Sequence, residues 1–303
     1  MTKEFQQIQW DQRSEDDCRQ IIRLAVREDL DRQYDWTTVA LASPELQGQV
    51  AVVARQPGVI AGLQAVPVIL DEMEIIADWE PLLTDGQIIQ ANQVLARLGG
   101  AVRDLLAAER LLLNLIGRLS GIATLTRRYV SAVADTKARI YDTRKTTPGW
   151  RRLEKYAVRC GGGCNHRTGL FDAVLIKDNH LALSGLGPDE AVRRVRAFLQ
   201  RTHPADEAAR MVIEVEVDTL EQFESVLPIA PDLVLLDNMS IDQLARAVAR
   251  RDAIGAAIQL EASGGVHLDT VAAIAATGVD RISVGALTHS AISLDMGLDW
   301  HGA

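Results

Sequence analysis

Short apolar runs in the second half of this chain repeatedly end in residues that could do chemistry. Ile140-Tyr141 is followed by Asp142-Thr143-Arg144-Lys145, and Leu175-Ile176 by Lys177-Asp178-Asn179-His180. Leu235-Leu236 leads to Asp237-Asn238, Leu260 to Glu261-Ala262-Ser263-Gly264-Gly265, and Val284 to Gly285-Ala286. Glu214 and Glu216 occupy alternate positions, so on a strand they project to one face. Arg144, Lys145, His166, Arg167 and Lys177 are residue types that hold carboxylates, arginine through a two-pronged grip and lysine as a point charge. Glu216 and Asp237 offer the hard oxygens that Mg²⁺ accepts while it bridges to phosphates. Ser263-Gly264-Gly265 and Gly285 suit a phosphate laid against backbone amides. Lys177 has a second reading, a Schiff-base lysine of an aldolase-like enzyme, helped by neighbouring positive charge that favours a neutral amine. A turn or helix cap is the plainer reading of any one strand end, but a series of them on one rim points to a site.

The elements that would position these residues alternate. Apolar strands are predicted at Ala138–Tyr141, Ala173–Ile176, Met211–Val217, Leu233–Leu236, Ile258–Glu261 and Arg281–Val284, with amphipathic helices over 188–202, 218–227, 240–252 and 267–277. This is the pattern of a parallel sheet with crossover helices. Six strands where a regular β/α barrel needs eight predict an irregular, incomplete barrel, with an open doubly wound sheet as the alternative. Up to about residue 100 the chain reads differently. A helix is predicted over Asp16–Asp29, β-rich segments over Gln49–Arg55 and Met73–Trp79, and turns at Pro57-Gly58 and Asp85-Gly86. Val102 to about Ala134 reads as one or two helices, with Gly117 and Gly121 as interruptions or close-packing points. The expected division is residues 1–115 as an N-terminal α/β sandwich and 116–287 as the barrel, with 288–303 packing back on the first.

Composition excludes several classes. The 303 residues are 48% hydrophobic and 24% charged, which rules out a disordered or low-complexity chain. Three cysteines give no disulfide scaffold, and Cys160, Cys164 and His166 lack zinc-module spacing. A polar, acidic start and the lack of a long apolar run predict a cytoplasmic protein. The net charge of −9 argues against nucleic-acid binding, yet 137–178 holds ten Lys and Arg against four acids. Such an island is either a solvated face or the seat of one anionic ligand.

The quoted segments fall together in one known pattern. DTRKTTPGWRRLEKYAV, GGGCNHRTGL and DAVLIKDNH, between Asp142 and His180, resemble the quinolinate phosphoribosyltransferase family. The likeness continues through AERLLLNLIGRLSGIATLT (Ala108–Thr126), EVEVDTL, LLDN, EASGG and DRISVGALTHS. The resemblance implies that quinolinate and 5-phosphoribosyl 1-pyrophosphate, with Mg²⁺, give nicotinate mononucleotide, pyrophosphate and CO₂, with no organic cofactor. It implies an N-terminal α/β sandwich joined to an irregular α/β barrel, assembled as a homodimer or larger homo-oligomer with a shared active site. By matching motif, Arg144, His166, Arg167 and Lys177 would hold quinolinate, with Lys145 facing its carboxylate and phosphate region and Arg110 coming from the neighbouring subunit. Glu216 and Asp237 would lie near ribose and Mg²⁺, and Ser263, Gly264, Gly265 and Gly285 would receive the 5′-phosphate. The catalytic set would be Lys145, Lys177, Glu216 and Asp237. Departures are the EDLDRQYDWTT segment (Glu28–Thr38), Trp150 and a small insertion at Pro204–Arg210. The rivals are a molybdenum-transport-associated paralogue, a non-catalytic sensor of phosphoribosyl compounds and the Lys177 aldolase.

Overall fold

The structure, a computed structural model, describes residues 3–301. Helices α1 (Gln12–Leu30) and α2 (Trp36–Leu41) precede β1 (Gln47–Ala54), β2 (Gly58–Val59) and α3 (Val66–Glu72). Then come β3 (Ala77–Pro81), β4 (Ile88–Ile89), β5 (Val94–Ala101), α4 (Val102–Ala132), β6 (Arg139–Tyr141) and α5 (Arg151–Cys160). The alternating region follows as β7 (Val174–Ile176), α6 (Asp178–Ser184), α7 (Pro188–Thr202), α8 (Ala205–Arg210), β8 (Ile213–Val217) and α9 (Leu220–Val226). It ends with β9 (Leu233–Asp237), α10 (Ile241–Ala253), β10 (Gln259–Ser263), α11 (Leu268–Ala276), β11 (Arg281–Ser283), α12 (Ala286–His289) and β12 (Met296–His301). All six predicted strands and all four predicted helices of the second half are present. The Pro204–Arg210 insertion supplies α8.

Two compact units divide the chain. The first comprises residues 3–7, Arg128–Arg144 and Gly163–Ala286, and holds a parallel sheet in the order β6-β11-β10-β9-β8-β7. Period-two alternation gives this sheet two unlike faces. Ile140, Ile176, Val215, Leu236, Leu260 and Ile282 are buried on one, the face that crossover helices cover. Burying each such side chain stabilises the unit by about 1.5–3 kcal/mol. The opposite face carries Tyr141, Lys177, Glu214, Glu216, Asp237, Glu261, Ser263 and Arg281. Local signals set the crossovers: Thr219 caps α9, and Ser240 with Gln243 forms a capping box on α10.

Residues 3–7 lie across the amino-terminal ends of these strands. Phe5 is buried with Tyr141, Ala173, Val212 and Leu233, which draws β6, β7, β8 and β9 around one small core. Lys3 donates to Met211 O and pairs with Asp232 at 3.0 Å, while Glu4 pairs with Arg139 at 2.6 Å and Arg281 at 2.9 Å. The polar opening segment is thus the floor of the incomplete barrel.

The second unit comprises Ile8–Arg127, Lys145–Gly162 and residues 287–301. Its antiparallel sheet runs β12-β1-β5-β3, with Val50 opposite both Trp300 and Leu98. The region 102–134 forms one unbroken helix to Ala132, because both internal glycines act as close-packing points. A Cβ on Gly117 would stand 2.9 Å from Leu294 O, and one on Gly121 only 2.0 Å from Ile292 O. The β-rich reading of Met73–Trp79 needs correction. Met73 caps α3, Glu74 turns through the left-handed region, and the strand starts at Ala77. A helix stop and a strand start fall within a few residues there, and an apolar run does not distinguish them.

Candidate active site

The charged face of the parallel sheet collects most of the expected residues at the strands' carboxyl ends. Lys177 directly follows β7, and its Nζ lies 2.5 Å from Glu216 Oε2 near the end of β8. Asp237 ends β9, with Oδ2 accepting from Asn238 Nδ2 at 2.6 Å. Asn238 N donates to Ser263 O at 2.9 Å, which ties the β9 loop to the β10 loop. Gly264 packs into that tie at φ +92°, and a Cβ there would meet Asn238 Oδ1 at 2.1 Å. Gly265, at φ +58°, has open space where a side chain would project. These glycines leave backbone amides accessible beside two acids, a cradle suited to a phosphate. Gly285 stands just beyond the end of β11.

Beside β6, the segment Cys164–Arg167 runs as an added rung. Cys164 N donates to Ile140 O, Asp142 N donates to Cys164 O, and buried Asp142 accepts from Asn165 Nδ2 at 2.7 Å and His166 N at 2.8 Å. Asp172 accepts from Thr168 N and Gly169 N, closing the next turn. This scaffold sets Arg167 within electrostatic reach of Arg144. Burial first, and then the Arg144 guanidinium, lowers the pKa of Arg167, against the opposing pull of Glu214 and Asp172. Among the described residues, Arg144 Nε is itself buried without a hydrogen-bond partner. Two guanidiniums that feel each other under partial burial favour an anion between them.

One layer deeper lie acids that sequence reasoning left outside the site. Glu214 and Glu261 are both 0% exposed, and His166 Nε2 stands 3.0 Å from Glu214 Oε2 and 3.5 Å from Glu261 Oε1. Burial, then the Glu214 charge, pushes the Glu261 pKa up to about 7, with His166 and Arg281 pulling the other way. The available signal was charge at inward positions of strands whose outward positions are apolar, since Glu261 and Arg281 are register partners. His180 acts as a cap rather than a reactive group, with Nδ1 accepting from Lys177 N at 2.9 Å at the start of α6.

The first unit therefore brings together Arg144, His166, Arg167, Lys177, Glu216, Asp237, Ser263, Gly264, Gly265 and Gly285. Arg110 and Lys145 belong to the second unit. Arg110 is exposed on α4, and Lys145 O accepts from Thr288 Oγ1 at 2.7 Å. Thr147 beside it is held by buried Glu154, which also pairs with Arg118 at 2.7 Å. Glu216 and Asp237, carboxylates ending neighbouring parallel strands, provide the oxygen donors a hard divalent cation takes, so the residues present fit Mg²⁺. Lys177 Nζ is engaged by Glu216, a contact that a Schiff-base lysine would have to give up before attacking a carbonyl.

A β/α barrel with cations and carboxylates at its strand ends, joined to a unit with an antiparallel sheet, defines a phosphoribosyltransferase-type architecture. Two family models match: quinolinate phosphoribosyl transferase, N-terminal domain, over residues 35–120, and the C-terminal domain over 122–299. The chain belongs to the quinolinate phosphoribosyltransferase family. It is 47% identical over 286 residues to nicotinate-nucleotide pyrophosphorylase [carboxylating] of Mycobacterium leprae, covering 94% of this chain and 97% of that one. A probable nicotinate-nucleotide pyrophosphorylase [carboxylating] of Bacillus subtilis is 43% identical, with 82% of each chain covered. Among solved structures, nicotinate-nucleotide pyrophosphorylase from Francisella tularensis superposes with a TM-score of 0.88 at 35% identity, covering 98% of this chain and 100% of that one. Among the described residues, no helix is long and apolar enough to cross a membrane.

Proposed function

We propose that this chain is a quinolinate phosphoribosyltransferase, which joins quinolinate to the ribosyl group of 5-phosphoribosyl 1-pyrophosphate and releases pyrophosphate and CO₂. The observation that carries this reading is a strand-end rim where Lys177 pairs with Glu216 beside the β9 acid Asp237, with Arg167 buried within electrostatic reach of Arg144 in the same unit. Quinolinate has two adjacent carboxylates, and a dianion relieves the repulsion between the guanidiniums that grip it. Arg144, Arg167 and Lys177 hold the pyridine, with His166 beneath them. Glu216 and Asp237 face the positive charge that develops on the ribosyl carbon as pyrophosphate departs. Ser263, Gly264, Gly265 and Gly285 receive the 5′-phosphate. Glu216 and Asp237 would hold the Mg²⁺ that accompanies the sugar donor, and the ion would supply charge neutralisation for the leaving pyrophosphate.

Ribosylation makes the ring nitrogen cationic, so the electron pair left when the adjacent carboxylate departs as CO₂ is stabilised without a protein nucleophile, and that carbon then takes a proton from water. Arg110 reaches the site of a neighbouring subunit in a cytoplasmic homodimer or larger homo-oligomer, and no nucleic acid or membrane takes part. The test is to incubate the purified protein with quinolinate, 5-phosphoribosyl 1-pyrophosphate and Mg²⁺. The expected result is nicotinate mononucleotide and CO₂ in equal amounts, and no product when nicotinate replaces quinolinate. Turnover of nicotinate at a comparable rate would overturn the carboxylating assignment.

A further inference from the structure

The His166 ring is held on three sides. Nδ1 accepts the N–H of Arg167 at 2.8 Å, so in this arrangement the ring proton resides on Nε2. That N–H faces the two carboxylates, 3.0 Å from Glu214 and 3.5 Å from Glu261. One ring face lies on Phe5, with centroids 4.3 Å apart at 30°. Among the described residues no donor is aligned on Glu214, and Ser283 also acts on Glu261, so the contact of the two acids with Nε2 is electrostatic rather than a linear hydrogen bond. Arg281 faces Glu261 from β11, and Arg167 faces Glu214 from the rung beside β6.

The three side chains also have the spacing of a metal-binding cluster. Metal ligation, however, needs the Nε2 lone pair, which the Nδ1 acceptor role denies it. The same ring position has a different use. His166 and Arg167 are consecutive and share a hydrogen bond, so fixing the imidazole fixes the backbone from which Arg167 projects.

We propose that Glu214 and Glu261 are positioning residues for the pyridine substrate, buried acids that clamp a neutral His166 and thereby aim Arg167 at the quinolinate dianion. The inference rests on the function proposed above. It makes His166 an orienting group beneath the cations rather than one of them.

The test measures each substrate separately in Glu214→Leu, Glu261→Leu, Glu214→Gln and Glu261→Gln, with KM and kcat from turnover and quinolinate Kd from calorimetry without sugar donor. Each leucine variant is expected to raise quinolinate KM and Kd by about tenfold or more, leaving KM for 5-phosphoribosyl 1-pyrophosphate within about twofold. The glutamines keep an acceptor oxygen for Nε2–H and should recover much of the loss, settling about threefold above wild type. Should a leucine variant fail to fold, the isosteric glutamine pair carries the same comparison. Equal loss for both substrates, or a lower Tm with unchanged quinolinate affinity, would overturn the proposal and leave the activity standing. About one equivalent of zinc per chain in purified wild type, lost in the variants, would replace the clamp by a metal centre. A wild type that neither binds nor converts quinolinate would overturn both readings.

Discussion

Lys177 Nζ sits 2.5 Å from Glu216 Oε2, joining the end of β7 to the end of β8. The same rim that must grip an anion therefore holds one of its cations in reserve against an internal carboxylate. In the function proposed above, an entering substrate carboxylate would compete with Glu216 for Lys177 Nζ.

Replacing Lys177 tests that role. Lys177→Ala is expected to lower kcat/KM by about 10²-fold or more, the usual size of losing one preorganised electrostatic contact. Lys177→Arg should retain measurable activity, since it keeps the charge. Borohydride added during turnover should leave no substrate attached to Lys177 by mass spectrometry. A trapped adduct would restore the aldolase reading.

Arg110 tests the shared site. Arg110→Ala and Lys177→Ala should each be inactive alone. In a dimer with sites completed by the partner, random mixing makes half the dimers mixed, each with one intact site of two. Activity should therefore return to about a quarter of wild type. Coupled assay of the remixed chains reads this directly, and a mixture as inactive as its parents would place Arg110 outside the site.

Glu261 gives stability a pH dependence of known sign. Its folded pKa, about 7, lies above its ordinary value of 4.5. Folding thus favours the protonated acid, and this stabilisation is complete below the ordinary value and lost as pH rises through about 7. Glu261→Gln removes the titration. The difference in unfolding free energy between variant and wild type should move in favour of the variant across this window, by a few kcal/mol in total. Urea unfolding at a series of pH values measures it, and a flat difference would refute the assignment.

Gly121 is a packing prediction confined to the second unit. Its absent Cβ is what admits Ile292 O. Gly121→Ala should destabilise by about 1–3 kcal/mol or more despite alanine's better helix propensity, because the crowding is against backbone. Thermal unfolding distinguishes this from Gly185→Ala, where no atom lies within 4 Å and only the left-handed φ of +68° opposes the change.

What the sequence made legible follows from range. Strand ends such as Ile176-Lys177 and Leu236-Asp237 are local changes from apolar to polar, so the rim could be read in advance. The alternation of Glu214 and Glu216 placed both on one face, but nothing local separates a rim acid from one sealed beneath it. That distinction arises only when β8 and β10 curve together and His166 enters from a separate loop. Phe5 and Arg281 were equally silent. Their partners lie at the opposite end of the chain, with Arg281 Nη2 reaching Lys3 O across 278 positions. The Met73–Ile76 turn was misread for the opposite reason, two element boundaries crowded into too few residues.

The floor formed by residues 3–7 has a kinetic consequence. The Arg281 guanidinium lies 5.3 Å from the Phe5 ring, a contact between residues far apart along the chain. Closing so long a loop is entropically slow, so the finished barrel is acquired late in folding.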